Sequence, residues 1–454
     1  MRVNQPTRRE VLKGSAMAAA AAVAVPTIVP SSVFGQNAPS NRVSLALLGS
    51  GNQGTGNCRH SFLPQPDVRI VAACDCRKSR RESVAKAFND HYQGDVCKPY
   101  ADFREVLART DVDAVVIATA DHWHVPLAYY AAKAKKDVYC EKPLSVALAW
   151  SYKLREMCRK NGTVFQYGTQ QRGDQGQFRR ACELALNGYI GDVKLADVWS
   201  PDMSTQFSAA TKPPYGSTEA IPVPEDLDYE MWIGPAPMKP YTADRCTNFG
   251  GYHIYDYALG FIAGWAVHPL DIAQWGLGMD NTTPVSHEGT GKIPPQVSLW
   301  NTIESWDVTS TYANGAKIRN MGSRVAEPVV KAYHQVWRDH GTTFHGSKGW
   351  ISVDRMGLYS SAKSLQTVQL KESEKKLYAA AGHGRNFIDC IKSRKPTINP
   401  LDAAINCDTI SHLGNICIRL ARPIKWDPAK EQIVGDGEAA KLLDRPMRGP
   451  WTME

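Results

Sequence analysis

The sequence predicts an α/β protein that opens on a doubly wound parallel sheet and continues into a second α/β domain. Two observations predict the first part. An apolar run flows directly into three glycines in G-x-G-x-x-G spacing, and further apolar runs then alternate with helix-compatible segments. A third observation, an alternating segment broken by Asn-Gly, predicts antiparallel strands downstream.

The run VSLALL beginning at Val43 is continuously apolar, as a strand buried on both faces must be. Gly49, Gly51 and Gly54 follow it, and a polar helical segment follows them. VRIVAACD then supplies a second strand that ends in Asp75. Alone, the glycine spacing is weak; between two strands, with an acid at the second strand's end, it is the dinucleotide-binding fingerprint. Gly49 permits the tight turn, Gly51 lets the backbone approach a pyrophosphate, and Gly54 lets helix and strand pack closely. Asn52 and Gln53 begin the helix whose N-terminus faces the phosphates. Asp75 would accept hydrogen bonds from the ribose hydroxyls, which favours NAD. NADP stays possible because Arg77, Lys78 and Arg80 follow, although a solvated helix face explains those cations as well.

DVDAVVIAT, KDVYC and TVFQY continue the strand pattern. Ligands of open α/β sheets bind beyond the carboxyl ends of the strands. That rule singles out Thr119, Asp121, His122, Trp123 and His124 after one strand, and Glu141 and Lys142 after the next. Arg172 lies beyond the last. His122 and His124 have a spacing that metal ligands use, but no third ligand of clear spacing follows, so no metal is expected. WDVTSTYANGAKI alternates with period two around Asn314-Gly315, a hairpin signature.

The formal charge is +8. Four basic residues and one acidic residue of the first 35 contribute to it, so the remainder is too mildly and too evenly charged to argue for nucleic acid. Those first residues read as an export signal: Arg8-Arg9, then Val11-Leu12-Lys13 and a short Ala-rich run stopped by Pro26. The run is too short to span a bilayer. A twin-arginine signal implies the twin-arginine machinery as a partner and a periplasmic or extracellular destination for a protein exported already folded. Eleven cysteines without a C-x-x-C pair suggest buried thiols rather than a disulfide framework. The expected division is a signal over 1–35, the dinucleotide domain over 42–168 and the second domain over 169–454.

GxGxxG, ATADHWH, CEKPLS and GWAVHPLDIAQW, in this order, resemble the glucose–fructose oxidoreductase / inositol dehydrogenase / MocA family, in its secreted twin-arginine branch. The likeness runs over residues 42–451 and includes WIGPAP, HGSKGWISV and GRNFIDCIKSRKP. It implies a Rossmann domain followed by an α/β domain with a large, open, mostly antiparallel sheet that often serves a homo-oligomer, a dimer or tetramer. It also implies an NAD(P)-dependent oxidoreductase for a secondary hydroxyl of a sugar, polyol or glycoside. Two other readings remain: a glycosidase that works by transient oxidation and elimination, and a non-catalytic exported carbohydrate-binding protein.

By this resemblance Lys142 lies at the nicotinamide and stabilises the reacting oxygen. His268 takes the hydroxyl proton, a step that needs a positioned base. The family pattern D-x-G-x-H-x-x-D maps its histidine to His268 and its last acid to Asp271, but its first acid falls on Gly264. Pro269 is tolerated only in a first helical turn, so a helix is expected to start near His268. Asp271, Arg172, Asp256 and Tyr257 are the candidate substrate contacts, with Asp256 a stand-in for the missing acid. Tyr252, Tyr255, Trp265 and Trp275 fit either sugar stacking or the core.

Overall fold

The computed structural model describes residues 41–206 and 211–454. The predicted export signal lies outside these residues. The first sheet has six strands: β1 (Val43–Leu48), β2 (Val68–Cys74), β3 (Lys98–Tyr100), β4 (Ala114–Ile117), β5 (Asp137–Cys140) and β6 (Phe165–Tyr167). Their order is β3-β2-β1-β4-β5-β6, and every pair is parallel. The order reverses between β1 and β4, which opens a crevice at their carboxyl ends. The inner strands are nearly all buried apolar residues because helices cover both faces.

The second sheet has nine strands in the order β13-β12-β11-β7-β10-β9-β8-β14-β15. These are β7 (Val193–Ser200), β8 (Ser286–Lys292), β9 (Ser305–Thr311), β10 (Lys317–Gly322), β11 (Gly341–Gly346), β12 (Gly349–Val353), β13 (Leu358–Ser360), β14 (Ile424–Asp427) and β15 (Gln432–Ile433). Only β7 and β10 pair in parallel; the other pairs are antiparallel. The Asn314-Gly315 turn joins β9 to β10 as the alternation predicts, and Gly315 takes the φ of +84° that this turn demands.

One face of this sheet meets three helices, Gly176–Leu186, Val267–Gly276 and Leu401–Leu420. Val267, Leu270 and Ile272 pack there with Trp306, Val308, Ile318 and Phe344. Gly276 is required at this contact, since a Cβ would stand 2.2 Å from the Phe344 ring. Along β9 buried residues alternate with half-buried Ser305, Asp307, Thr309 and Thr311, so the opposite face carries polar side chains. All eleven cysteines are free, and only Cys76 and Cys246 keep some exposure. Among the described residues no helix is long and apolar enough to cross a membrane.

Four buried histidines are expected to make this fold acid-sensitive. Burial lowers His122 and His124 to about 4, and His253 and His287 to about 3. A histidine held neutral in the fold but free to charge when unfolded contributes stability above about pH 6.5, and that stability is lost as pH falls toward the folded value. Melting temperature is therefore expected to fall steadily from pH 6.5 to pH 4 in a thermal-denaturation series. A flat profile would mean that these rings are not held neutral.

Candidate active site

The glycine loop satisfies the geometry its spacing requires. Gly49 has a φ of +96°, and a Cβ on it would lie 2.5 Å from the Ala118 carbonyl oxygen. A Cβ on Gly54 would lie 2.3 Å from the Gly49 carbonyl oxygen. Gly51 differs: the nearest atom, on the Arg80 guanidinium, is 3.9 Å away. Gly51 therefore faces open space where a pyrophosphate can approach the backbone. Gly51→Ala is expected to leave the melting temperature unchanged and to weaken nucleotide binding by about ten- to a hundredfold, checked by calorimetric titration with NAD.

A cleft of about 1250 Å³, counting its open mouth, runs along this loop. Gly49, Gly51, Asn52, Gln53 and Asp75 line one side of it. Thr119, Asp121 and Trp123 line it beyond β4. The Asp75 carboxylate accepts the backbone N–H groups of Ser50 and Arg77, each at 2.8 Å, which fixes it at the end of β2. Burial pushes its carboxyl up, and Arg80 and the two backbone donors oppose that push. Of the three cations after Asp75, Arg77 pairs with Asp226 at 3.5 Å and Lys78 with Glu82 at 3.9 Å, while Arg80 lines the cleft. These residues fit a dinucleotide.

His122 and His124 do not line the cleft as expected. The His122 Nε2 lies 3.0 Å from the Trp232 carbonyl oxygen, and His124 sits between the carbonyl oxygens of Pro143 (2.6 Å) and Thr119 (3.2 Å). Both rings brace the cleft from behind. Glu141 is also a brace. Its carboxylate accepts hydrogen bonds from Asn57 Nδ2 (2.6 Å) and Gln53 Nε2 (3.4 Å), tying the end of β5 to the glycine-loop helix.

Lys142 extends from the same strand end toward the second domain. Its Nζ donates to the Gly264 carbonyl oxygen at 2.9 Å and lies 5.4 Å from the centre of the Tyr252 ring, which itself lines the cleft. The position that lacks the expected acid thus still holds the lysine, through its backbone. A Cβ at Gly264 would meet the Tyr252 ring at 3.4 Å, so Tyr252 borders the space an acid would have used.

His268 sits in the first turn of the helix Val267–Gly276, as Pro269 requires. It is 4% exposed, and its Nδ1 has no hydrogen-bond partner. Burial, then the cations of Lys142 and Arg355 and the neighbouring His340 and His383, push it well below its ordinary value of 6.5. The ring is therefore neutral at physiological pH, the state a proton acceptor needs.

The expected substrate contacts need correction. Asp271 is fully buried and accepts from Arg172 Nε (2.8 Å) and Nη2 (2.7 Å), Thr169 Oγ1 (2.9 Å) and Asn399 Nδ2 (3.0 Å). Arg172 adds Asp280 at 2.7 Å. Both groups are buried and spent on one another and on Asp280, and neither lines the cleft. Tyr257 is also fully buried, packed against Trp232 and His122, with its hydroxyl accepting from Arg245 at 3.0 Å. Asp256 lies half-buried in the adjoining turn and does not line the cleft, so it does not stand in for the missing acid.

Apart from Tyr252, sequence reasoning missed the cover. Met231, Trp232, Cys246, Asn248 and Tyr252 of the second domain line the cleft opposite the glycine loop. The chain anchors this cover beside Asp75: Leu227 bridges Arg77, the Lys78 N–H donates to the Asp226 carbonyl (2.9 Å), and the Asp228 N–H to the Cys76 carbonyl (3.0 Å). The WIGPAP stretch carried the signal, but only folding shows what it covers.

Two family profiles match the chain: "Oxidoreductase family, NAD-binding Rossmann fold" over residues 43–169, and "Oxidoreductase family, C-terminal alpha/beta domain" over residues 215–453. The chain belongs to the Gfo/Idh/MocA oxidoreductase family. Its first domain is the family's NAD-binding domain. A myo-inositol 2-dehydrogenase of Thermotoga maritima is 30% identical over 69% of this chain and 75% of its own length. An uncharacterized oxidoreductase, YrbE, of Bacillus subtilis is 25% identical over 64% of this chain and 67% of its own. Across the first curated relatives, the alignments span 53% to 75% of the relatives' lengths. Among solved structures, the aldose-aldose oxidoreductase of Caulobacter crescentus superposes with a TM-score of 0.59, covering 85% of this chain and 99% of that one at 16% identity. At that identity the likeness speaks for the Gfo/Idh/MocA fold alone.

Proposed function

We propose that this chain is an NAD-dependent dehydrogenase that oxidises a secondary hydroxyl of a sugar, polyol or glycoside. One observation carries the reading: Lys142 reaches the ring of Tyr252, a residue lining a cleft that fits a dinucleotide, and its cation is one of the charges that keep the buried His268 neutral. NAD, held along Gly49, Gly51 and Asp75, would supply the hydride acceptor. His268 accepts the hydroxyl proton. Lys142, held by the Gly264 carbonyl, presents its remaining N–H donors to the reacting oxygen and stabilises the negative charge that grows there.

The cover supports a second reading. A dinucleotide covered by residues 226–252 would exchange slowly, and a reaction that returns the hydride within one turnover needs no exchange. Transient oxidation, elimination and re-reduction of a glycoside would meet that condition. Folded export through the twin-arginine route suits a cofactor loaded before transport.

The deciding experiment purifies the protein, denatures it and identifies released nucleotide by absorbance and mass. Stoichiometric NAD supports a retained cofactor, and a panel of polyols and glycosides then separates net oxidation from cleavage. Absence of nucleotide, together with no binding of added NAD or NADP, overturns both enzymatic readings in favour of a carbohydrate-binding protein.

A further inference from the structure

Arg355 follows β12 in sequence and belongs to none of the motifs that mark the cofactor site. Its guanidinium lies 4.7 Å over the Trp265 ring, and Trp265 packs edge-on against His268 with ring centres 5.5 Å apart. Trp265 also follows Gly264, whose carbonyl holds Lys142. The cations of Arg355 and Lys142 both lie close enough to His268 to depress it. Neighbouring carboxylates do not neutralise them. Asp271 is committed to Arg172. Asp339 is the anion nearest in influence to Arg355, but it bonds His340 at 2.8 Å, stands 63% exposed and makes no ion pair with the guanidinium. Among the described residues no side-chain hydrogen bond of Arg355 forms; its backbone carbonyl accepts from Gln177 at 3.3 Å. The guanidinium centre lies over the Trp265 ring, and its N–H groups, without a partner among the described residues, stay available to grip a carboxylate.

We propose that the substrate carries a carboxylate, as a uronate or aldonate sugar does, and that Arg355 binds it while Lys142 and His268 meet the carbinol. Two cations and a neutral base favour an anionic sugar over a neutral one at this position. The proposal rests on the dehydrogenase reading and names its substrate class.

The test measures binding apart from turnover. The NAD-loaded protein is titrated calorimetrically with D-glucuronate and D-galacturonate, and with D-glucose and D-galactose, which differ from them in replacing the carboxylate by a hydroxymethyl group. The uronates are expected to bind about ten- to a hundredfold more tightly, the range a charged hydrogen-bonded contact supplies. Arg355→Gln is expected to abolish that difference at an unchanged melting temperature, and Arg355→Lys to restore part of it. Equal affinity for acid and neutral sugar in the unaltered protein overturns the proposal, as does a preference that survives in Arg355→Gln. Hydride transfer from neutral sugars without uronate preference would remove the carboxylate site and leave the dehydrogenase. Uronate preference without hydride transfer would do the reverse.

Discussion

Lys142→Met is expected to lower kcat by about a hundred- to a thousandfold, the usual effect of deleting one donor to a charge that develops in the transition state. The aliphatic stem survives in this variant, so packing against Tyr252 is largely retained and nucleotide binding is expected to stay within a few-fold. His268→Gln belongs to the same experiment, with a loss of about 10²- to 10⁴-fold from removing a positioned base. The pH dependence distinguishes their roles. His268 is pushed well below 6.5, so its neutral form is complete at neutral pH and kcat/KM should lose its acid limb only well below pH 6.5. Removing the Lys142 cation withdraws one of the causes of that depression, and the acid limb of the residual activity should move upward in pH. A profile unmoved by Lys142→Met would separate the two groups, and an unchanged kcat would refute the lysine's assignment.

Arg172→Leu is expected to destabilise the fold by about 3–5 kcal/mol, because it strands a charge that has no exposure to water. Asp271 would keep only Thr169 and Asn399 as partners. Chemical denaturation measures the loss. Arg172→Leu with Asp271→Leu removes both charges and should recover much of it, since a buried pair replaced by apolar side chains costs little. If Arg172 bound substrate instead, the single variant would fold normally and raise KM. That result would reinstate the reading the structure corrects.

The dinucleotide half was legible because its determinants are local. Gly49, Gly51 and Gly54 answer to backbone sterics within one turn, and Asp75 terminates the strand that pairs with β1. The apolar runs that became β1, β2, β4 and β5 are buried on both faces, so composition alone marks them. Pro269 likewise fixed the helix start, and with it the place of His268 in the first turn.

The second-domain contacts were not legible in the same way. Asp271 reads as a substrate ligand in a motif, yet its carboxylate is consumed by Arg172, Thr169 and Asn399, which lie 99, 102 and 128 residues away in the chain. Arg355 carries no motif, and its tie to His268 runs through the face of Trp265. Sequence determined where the nucleotide loop, Lys142 and His268 stand along the chain. Only the tertiary structure decided which polar side chains are spent on one another and which remain free, because a charge removed from water must find its partners in space, and spacing in sequence does not record that distance.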